Sequence, residues 1–131
     1  MGDRSTVLKT FNIQFFNFLD DVIKVFPDKD ELKVGKKSFE TIKRANPTII
    51  LKIWFTHVYS VYKESIDNGD VEYFIKKDYQ QDLQSLANNG EVLKIINTLR
   101  QPISEMDDVN KQHTVKYLQV LSKLSELYNK S

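Results

Sequence analysis

The chain has 131 residues, and its 19 Lys+Arg against 18 Asp+Glu give a formal net charge of +1. This length is typical of one domain and allows a sizeable core. The absence of cysteine excludes disulfides, thiolate metal sites and a cysteine nucleophile. Balanced charge argues against DNA binding by bulk electrostatics alone. We expect residues 6–131 to form one domain after an N-terminal extension of residues 1–5.

Signals for membranes or secretion are weak in this sequence. The longest apolar stretch, residues 48–55, is interrupted by Lys52 and is far too short to cross a membrane. The first residues lack the apolar core of a signal peptide. Gly2 and Thr6 fit the loose form of a myristoylation signal, but Asp3 disfavours it. We expect no membrane-spanning segment and a reducing compartment.

The apolar periodicity predicts a first helix over residues 6–26, ended by Pro27. One side of this helix is apolar and rich in phenylalanine: Leu8, Phe11, Phe15, Phe18, Leu19, Val22, Val25 and Phe26. Ile13 is alone among polar residues on the other side. The pattern is typical of a helix buried along an aromatic stripe.

A second helix is predicted from Asp30 to Ala45, where acidic residues crowd the first turn. Its apolar stripe is thin, with Leu32, Phe39 and Ile42. The opposite face is basic and consists of Lys33, Lys36, Lys37, Lys43 and Arg44, with Glu40 among them. Five basic residues and one acidic residue give residues 33–44 a local charge of +4. This face is our candidate for binding nucleic-acid phosphates or an acidic partner, although a solvated lysine surface is the alternative.

Asn46 and Pro47 favour the start of a third helix that reaches about Ile66. Its apolar arc covers most of the circumference: Ile50, Leu51, Trp54, Phe55, Val58, Val61 and Tyr62. A helix that is apolar almost all round needs neighbours on most sides, so we expect it to be central.

The remaining pattern is also helical, with short helices over 71–77 and 91–99 and a long last helix that begins near Asp107 or Asp108 and reaches Tyr128. The last helix has an apolar seam at 3–4 spacing: Val109, His113, Tyr117, Val120, Leu121, Leu124, Leu127 and Tyr128. No alternating strand pattern occurs. The sequence therefore predicts an all-α, single-domain bundle of five to six helices with a central hydrophobic helix.

Motifs with recognisable chemistry are absent, including Gly-rich phosphate loops, HExxH and nucleophile elbows. His57 and His113 both border or lie within apolar arcs, and we interpret His113 as a core histidine rather than a ligand or proton switch. We therefore expect no enzyme activity, no cofactor and no metal site. Residues 64–82 have a local charge of −4 and can complement the basic face within the domain or between copies.

Several short segments together carry a resemblance to a known protein family. They are Phe18-Leu19-Asp20-Asp21, Val25-Phe26-Pro27-Asp28, Asn46-Pro47, Ile53-Trp54, Phe74-Ile75-Lys76-Lys77-Asp78-Tyr79, Leu99-Arg100-Gln101-Pro102-Ile103 and Leu121-Ser122-Lys123-Leu124-Ser125. The chain resembles a small uncharacterised protein family of the nucleocytoplasmic large DNA viruses. The resemblance implies a viral product in the host cytoplasm or the virion, and it assigns no activity and no site residue.

Three classes of function remain open. The leading hypothesis is a non-enzymatic interaction or structural protein that binds a protein partner or itself, because aromatic residues dominate interface energetics. The second is a weak nucleic-acid contact through the basic face of the second helix. The third is an enzyme that uses His57 or His113 with an acid such as Asp78.

Overall fold

A computed structural model of the chain describes residues 4–70 and 100–130, and every regular element in these two ranges is a helix. The elements are α1 (Arg4–Val25), α2 (Asp30–Ala45), α3 (Ile49–Ile53), a π-helical segment (Trp54–Tyr59), α4 (Ser60–Asp67), α5 (Arg100–Ser104) and α6 (Asp108–Lys130). The predicted all-α bundle is confirmed. The short helices predicted over 71–77 and 91–99 lie outside the described residues. None of the described helices is long and apolar enough to span a membrane.

The helix ends follow local chemistry. The structure gives α2 the predicted bounds, with Asp30 and Glu31 in its first turn and Lys43 and Arg44 in its last. The first helix begins two residues earlier than predicted. Arg4, the first residue of α1, contacts the last helix: its guanidinium lies 4.3 Å from the ring centroid of Tyr128, and its Nε donates to the Tyr128 carbonyl over 3.2 Å.

Helix α1 packs against both α2 and α6. Side-chain contacts between Asp20 and Lys36 and between Phe16 and Lys43 show that α1 and α2 run antiparallel. On the other side, Arg4 meets the C-terminal end of α6, whereas Asp21 meets Tyr117 nearer its start. The α1 and α6 helices are therefore antiparallel as well.

An aromatic cluster occupies the centre of the core. The ring of Phe15 lies 4.8 Å from Phe39 and 6.2 Å from Trp54, and Phe11 lies 6.4 Å from Trp54. All four side chains are fully buried. The aromatic stripe predicted for the first helix is thus a core stripe, and Ile13 is exposed as its polar surroundings indicated.

Residues 49–67 form the predicted central helix, which packs against α1, α2 and α6. Its buried side chains lie on most of its circumference: Ile50, Leu51, Ile53, Trp54, Val58, Tyr59 and Ile66. Trp54 Nε1 donates to Ser122 Oγ over 3.0 Å and so joins this helix to α6 inside the core. The wide apolar arc in the sequence correctly predicted a helix surrounded by others.

The predicted seam of the last helix needs correction. Val109, Val120 and Leu127 are 63%, 43% and 53% exposed, and His113 is exposed rather than a core histidine. The buried side chains are Thr114, Leu118, Leu121, Ser122, Ser125 and Tyr128. Small hydroxyl side chains can be buried on a helix because they donate to its own carbonyls, as Ser125 does to Ser122 over 2.7 Å. The buried face is therefore rotated away from the most apolar one.

Candidate functional site

The structure brings together three of the five basic residues that we singled out. Lys36, Lys43 and Arg44 line a cleft of about 440 Å³ between α1 and α2, which we call the α1–α2 cleft. Lys33 and Lys37 are exposed on α2 but do not line it. The basic face is thus divided into a cleft wall and an outer surface.

Lys36 is already neutralised within the chain. Its Nζ lies 2.6 Å from Asp20 Oδ1 across the α1–α2 interface. The hydrogen bond to Asp20 raises the pKa of Lys36, and it outweighs the opposing effect of burial. This lysine therefore fixes α2 against α1 and contributes little net charge to a ligand.

The other two cleft cations, Lys43 and Arg44, have exposed side chains. Lys43 Nζ lies 5.2 Å from the ring centroid of Phe16, a cation–π contact that leaves its charge without a counter-ion. Arg44 is exposed at the end of the same helix. No ion pair engages Lys43, Arg44 or the neighbouring Lys37 in the part of the chain that the structure describes.

The α1 wall of the cleft is partly apolar. Ile13 is 60% exposed there, and the half-buried Phe16 ring lies one turn further along. Beside them, Asn12 is buried; its Nδ2 donates to the Pro47 carbonyl over 3.1 Å, while its Oδ1 has no hydrogen-bond partner among the described residues. Sequence reasoning missed this wall, although Ile13 among polar residues was a signal for an apolar contact outside the core.

A second cleft lies on the opposite side of α1. Phe18, Met106 and His113 are among the residues that line it, and its volume is about 330 Å³. Tyr117 Oη donates to Asp21 Oδ2 over 2.6 Å at its edge. Burial and this hydrogen bond raise the pKa of Tyr117 to about 12, so the phenol remains a donor near neutral pH. The exposed His113 lies beside this pair rather than in the core.

The described residues contain no arrangement that suits a metal ion. His57 is half-buried in the π-helical segment of the central helix, and His113 lines the cleft between α1 and α6. Within 4–70 and 100–130, no three His, Asp or Glu side chains are grouped to hold a metal. Asp78, which we considered as an acid partner for either histidine, lies outside these ranges.

The structure thus defines a helical bundle with cationic and apolar side chains side by side in a surface cleft. Comparison with protein-family models finds no match, and comparisons with curated proteins and with solved structures find none either. The function must therefore be argued from the chemistry of the surface.

Proposed function

We propose that this chain is a non-enzymatic protein-interaction module that binds an acidic segment of a partner protein in the α1–α2 cleft. The observation that carries the proposal is that the exposed Ile13 lines the same cleft as the cations Lys43 and Arg44. An acidic segment with one aliphatic side chain satisfies both features, since carboxylates pair with the cations while the apolar group covers Ile13.

The same surface suits a polypeptide better than a nucleic acid. A phosphate backbone needs several uncompensated cations, but Asp20 neutralises Lys36 and Glu40 lines the cleft as well. The apolar side chains of Ile13 and Phe16 form neither a hydrogen bond nor an ion pair with a phosphate. The nucleic-acid alternative instead depends on Lys33 and Lys37, which are exposed outside the cleft.

Two expectations from the sequence accompany this proposal. The resemblance to a giant-virus family supports a partner in the host cytoplasm or the virion. The acidic residues within 64–82 make a second copy of the chain one source of the acidic segment. Binding of an acidic peptide tests the α1–α2 cleft directly, and sedimentation of the purified chain tests self-association.

The test uses a fluorescein-labelled peptide of twelve residues, glutamates with two central leucines, and measures its fluorescence anisotropy. Lys43→Gln combined with Arg44→Gln should weaken binding about tenfold, because two charge-assisted contacts are lost. Ile13→Ser should weaken binding severalfold while leaving its salt dependence unchanged, because only an apolar contact is removed.

The matched control is Lys52→Gln combined with Lys130→Gln, which removes the same charge from exposed lysines outside the cleft. This control variant should bind the peptide as the wild type does. Equal weakening by both double variants would contradict a localised site. Stronger binding of a twelve-base-pair DNA duplex than of the peptide, lost on substituting Lys33 and Lys37 with glutamine, would favour the nucleic-acid alternative.

A further inference from the structure

The outward side of α6 has a regular stripe of apolar and basic side chains. It consists of Val109, His113, Lys116, Val120, Lys123 and Leu127, which we call the α6 ridge. Successive members are four, three, four, three and four residues apart in the sequence. All six side chains are exposed. This spacing is the one by which one helix packs along another.

Grooves flank the ridge on both sides at Val120. One groove, of about 370 Å³, is lined by Gln14 and Tyr117 together with Val120. The other, of about 650 Å³, is lined by Leu124, Asp67 and again Val120. An apolar ridge between two grooves can be straddled by the side chains of a second helix.

Two lysines of the ridge lie beside carboxylates in the flanking grooves: Asp21 and Lys116 line one groove, and Asp67 and Lys123 line the other. Asp21 accepts a hydrogen bond from the hydroxyl of Tyr117, and Asp67 accepts one from the hydroxyl of Tyr59. A carboxylate oxygen of Glu126 lies 3.9 Å from Lys63 Nζ and 3.7 Å from Lys130 Nζ. Lys116 and Lys123 form no ion pair with any of the described residues. Acidic groups of a ligand can therefore form ion pairs with these two lysines.

We propose that the α6 ridge docks an amphipathic helix of a different protein, with apolar residues at 3–4 spacing flanked by glutamate or aspartate. The apolar residues cover Val109, Val120 and Leu127, and the acids pair with Lys116 and Lys123. A second copy of the ridge is a poor occupant, because two-fold pairing brings the lysines of both copies to one seam, where like charges repel. This surface is separate from the α1–α2 cleft and does not depend on it.

The test uses a synthetic helix of three heptads with leucine at the seam positions and glutamate beside them. Binding to the full chain is measured by calorimetry and mapped by amide NMR shifts. Val120→Glu should weaken binding at least about tenfold, because a carboxylate then faces both the apolar seam and the acids of the peptide. Val34→Glu, at a 62% exposed valine on α2, should leave binding unchanged.

A second variant keeps the result independent of any effect of Val120→Glu on folding. Lys116→Gln combined with Lys123→Gln should weaken binding severalfold and reduce its salt dependence. Equal losses in the Val34 and Val120 variants, or equal binding of a peptide with lysine for glutamate, would overturn the proposal. It would also fail if sedimentation showed a dimer of the free chain that Val120→Glu dissociates, since the occupant is then a second copy.

Discussion

The two long helices α1 and α6 differ in how their apolar residues relate to the core. In α1, the phenylalanine-rich face is the buried face, and the isolated Ile13 is outside. In α6, the buried face includes Thr114, Ser122 and Ser125, whereas Val109 and Val120 are exposed. Both helices show 3–4 apolar spacing in the sequence, so the spacing alone does not determine which side is buried.

Hydrogen bonding explains the difference. A phenylalanine stripe can be buried only against other apolar groups, which fixes the orientation of α1. The core also contains Trp54, whose indole N–H needs an acceptor when it is buried. Ser122 supplies that acceptor, and Thr114 donates to the Asn110 carbonyl of its own helix over 3.1 Å. The packing of α6 is therefore determined by polar partners as well as by apolar area.

The largest effect on stability should come from removing an aromatic side chain of α1 from the core. Phe15 is fully buried and contacts Phe11, Phe39 and Trp54. Phe15→Ala should reduce the free energy of unfolding by about 3–5 kcal/mol, because it removes packing and leaves a cavity. Ile13→Ala on the same helix should change it by less than about 0.5 kcal/mol. Urea unfolding of both variants measures the difference, and similar losses would contradict the assigned orientation of α1.

A smaller effect on stability should come from removing the hydrogen-bond acceptor that α6 supplies to Trp54. Ser122→Ala leaves the buried Trp54 N–H without its acceptor and should cost about 1–3 kcal/mol of unfolding free energy. In a Trp54→Phe background the same change should cost markedly less, because the donor is already gone. A double-mutant cycle measured by urea unfolding isolates this coupling. Additive losses would show that Ser122 acts through packing alone.

The sequence allowed the bundle, the bounds of α2 and the central helix to be predicted, since these rest on apolar periodicity and helix-end residues. The buried side of α6 could not be predicted, because the need of Trp54 for a hydrogen-bond acceptor appears only when two helices meet. Arg4 was likewise assigned to an extension, whereas its contact with Tyr128 joins residues 124 positions apart.

The candidate site was also predicted only in part, because part of it depends on contacts between two helices. The basic residues of α2 follow directly from the helical pattern, and three of them do line one cleft. The division between them depends on α1, because Asp20 neutralises Lys36 while Phe16 lies beneath Lys43. No spacing rule within α2 contains that information. Ile13 was visible as an exception to its surroundings, and only the fold shows that it faces those cations.

The smallest effect should come from the exposed Tyr117–Asp21 hydrogen bond, which also joins α1 to α6. The pKa of Tyr117 is raised to about 12 in the folded chain, compared with about 10 for an unperturbed tyrosine. The unfolded chain therefore releases this proton first, so the stabilisation is complete below about pH 10 and is lost as the pH rises towards 12. Because the hydrogen bond itself is exposed to solvent, the loss should stay below about 1 kcal/mol.

Urea unfolding at several pH values from about 8 to about 11.5 tests this effect, because this range lies on both sides of the pKa of an unperturbed tyrosine. Tyr117→Phe should flatten the decline in stability above about pH 10, and Asp21→Asn should flatten it less, because the amide keeps an acceptor but loses the charge. Part of the decline should persist in both variants, since burial also raises the pKa of Tyr59. An unchanged pH profile in Tyr117→Phe would show that the contact between α1 and α6 rests on Phe18 and its apolar neighbours alone.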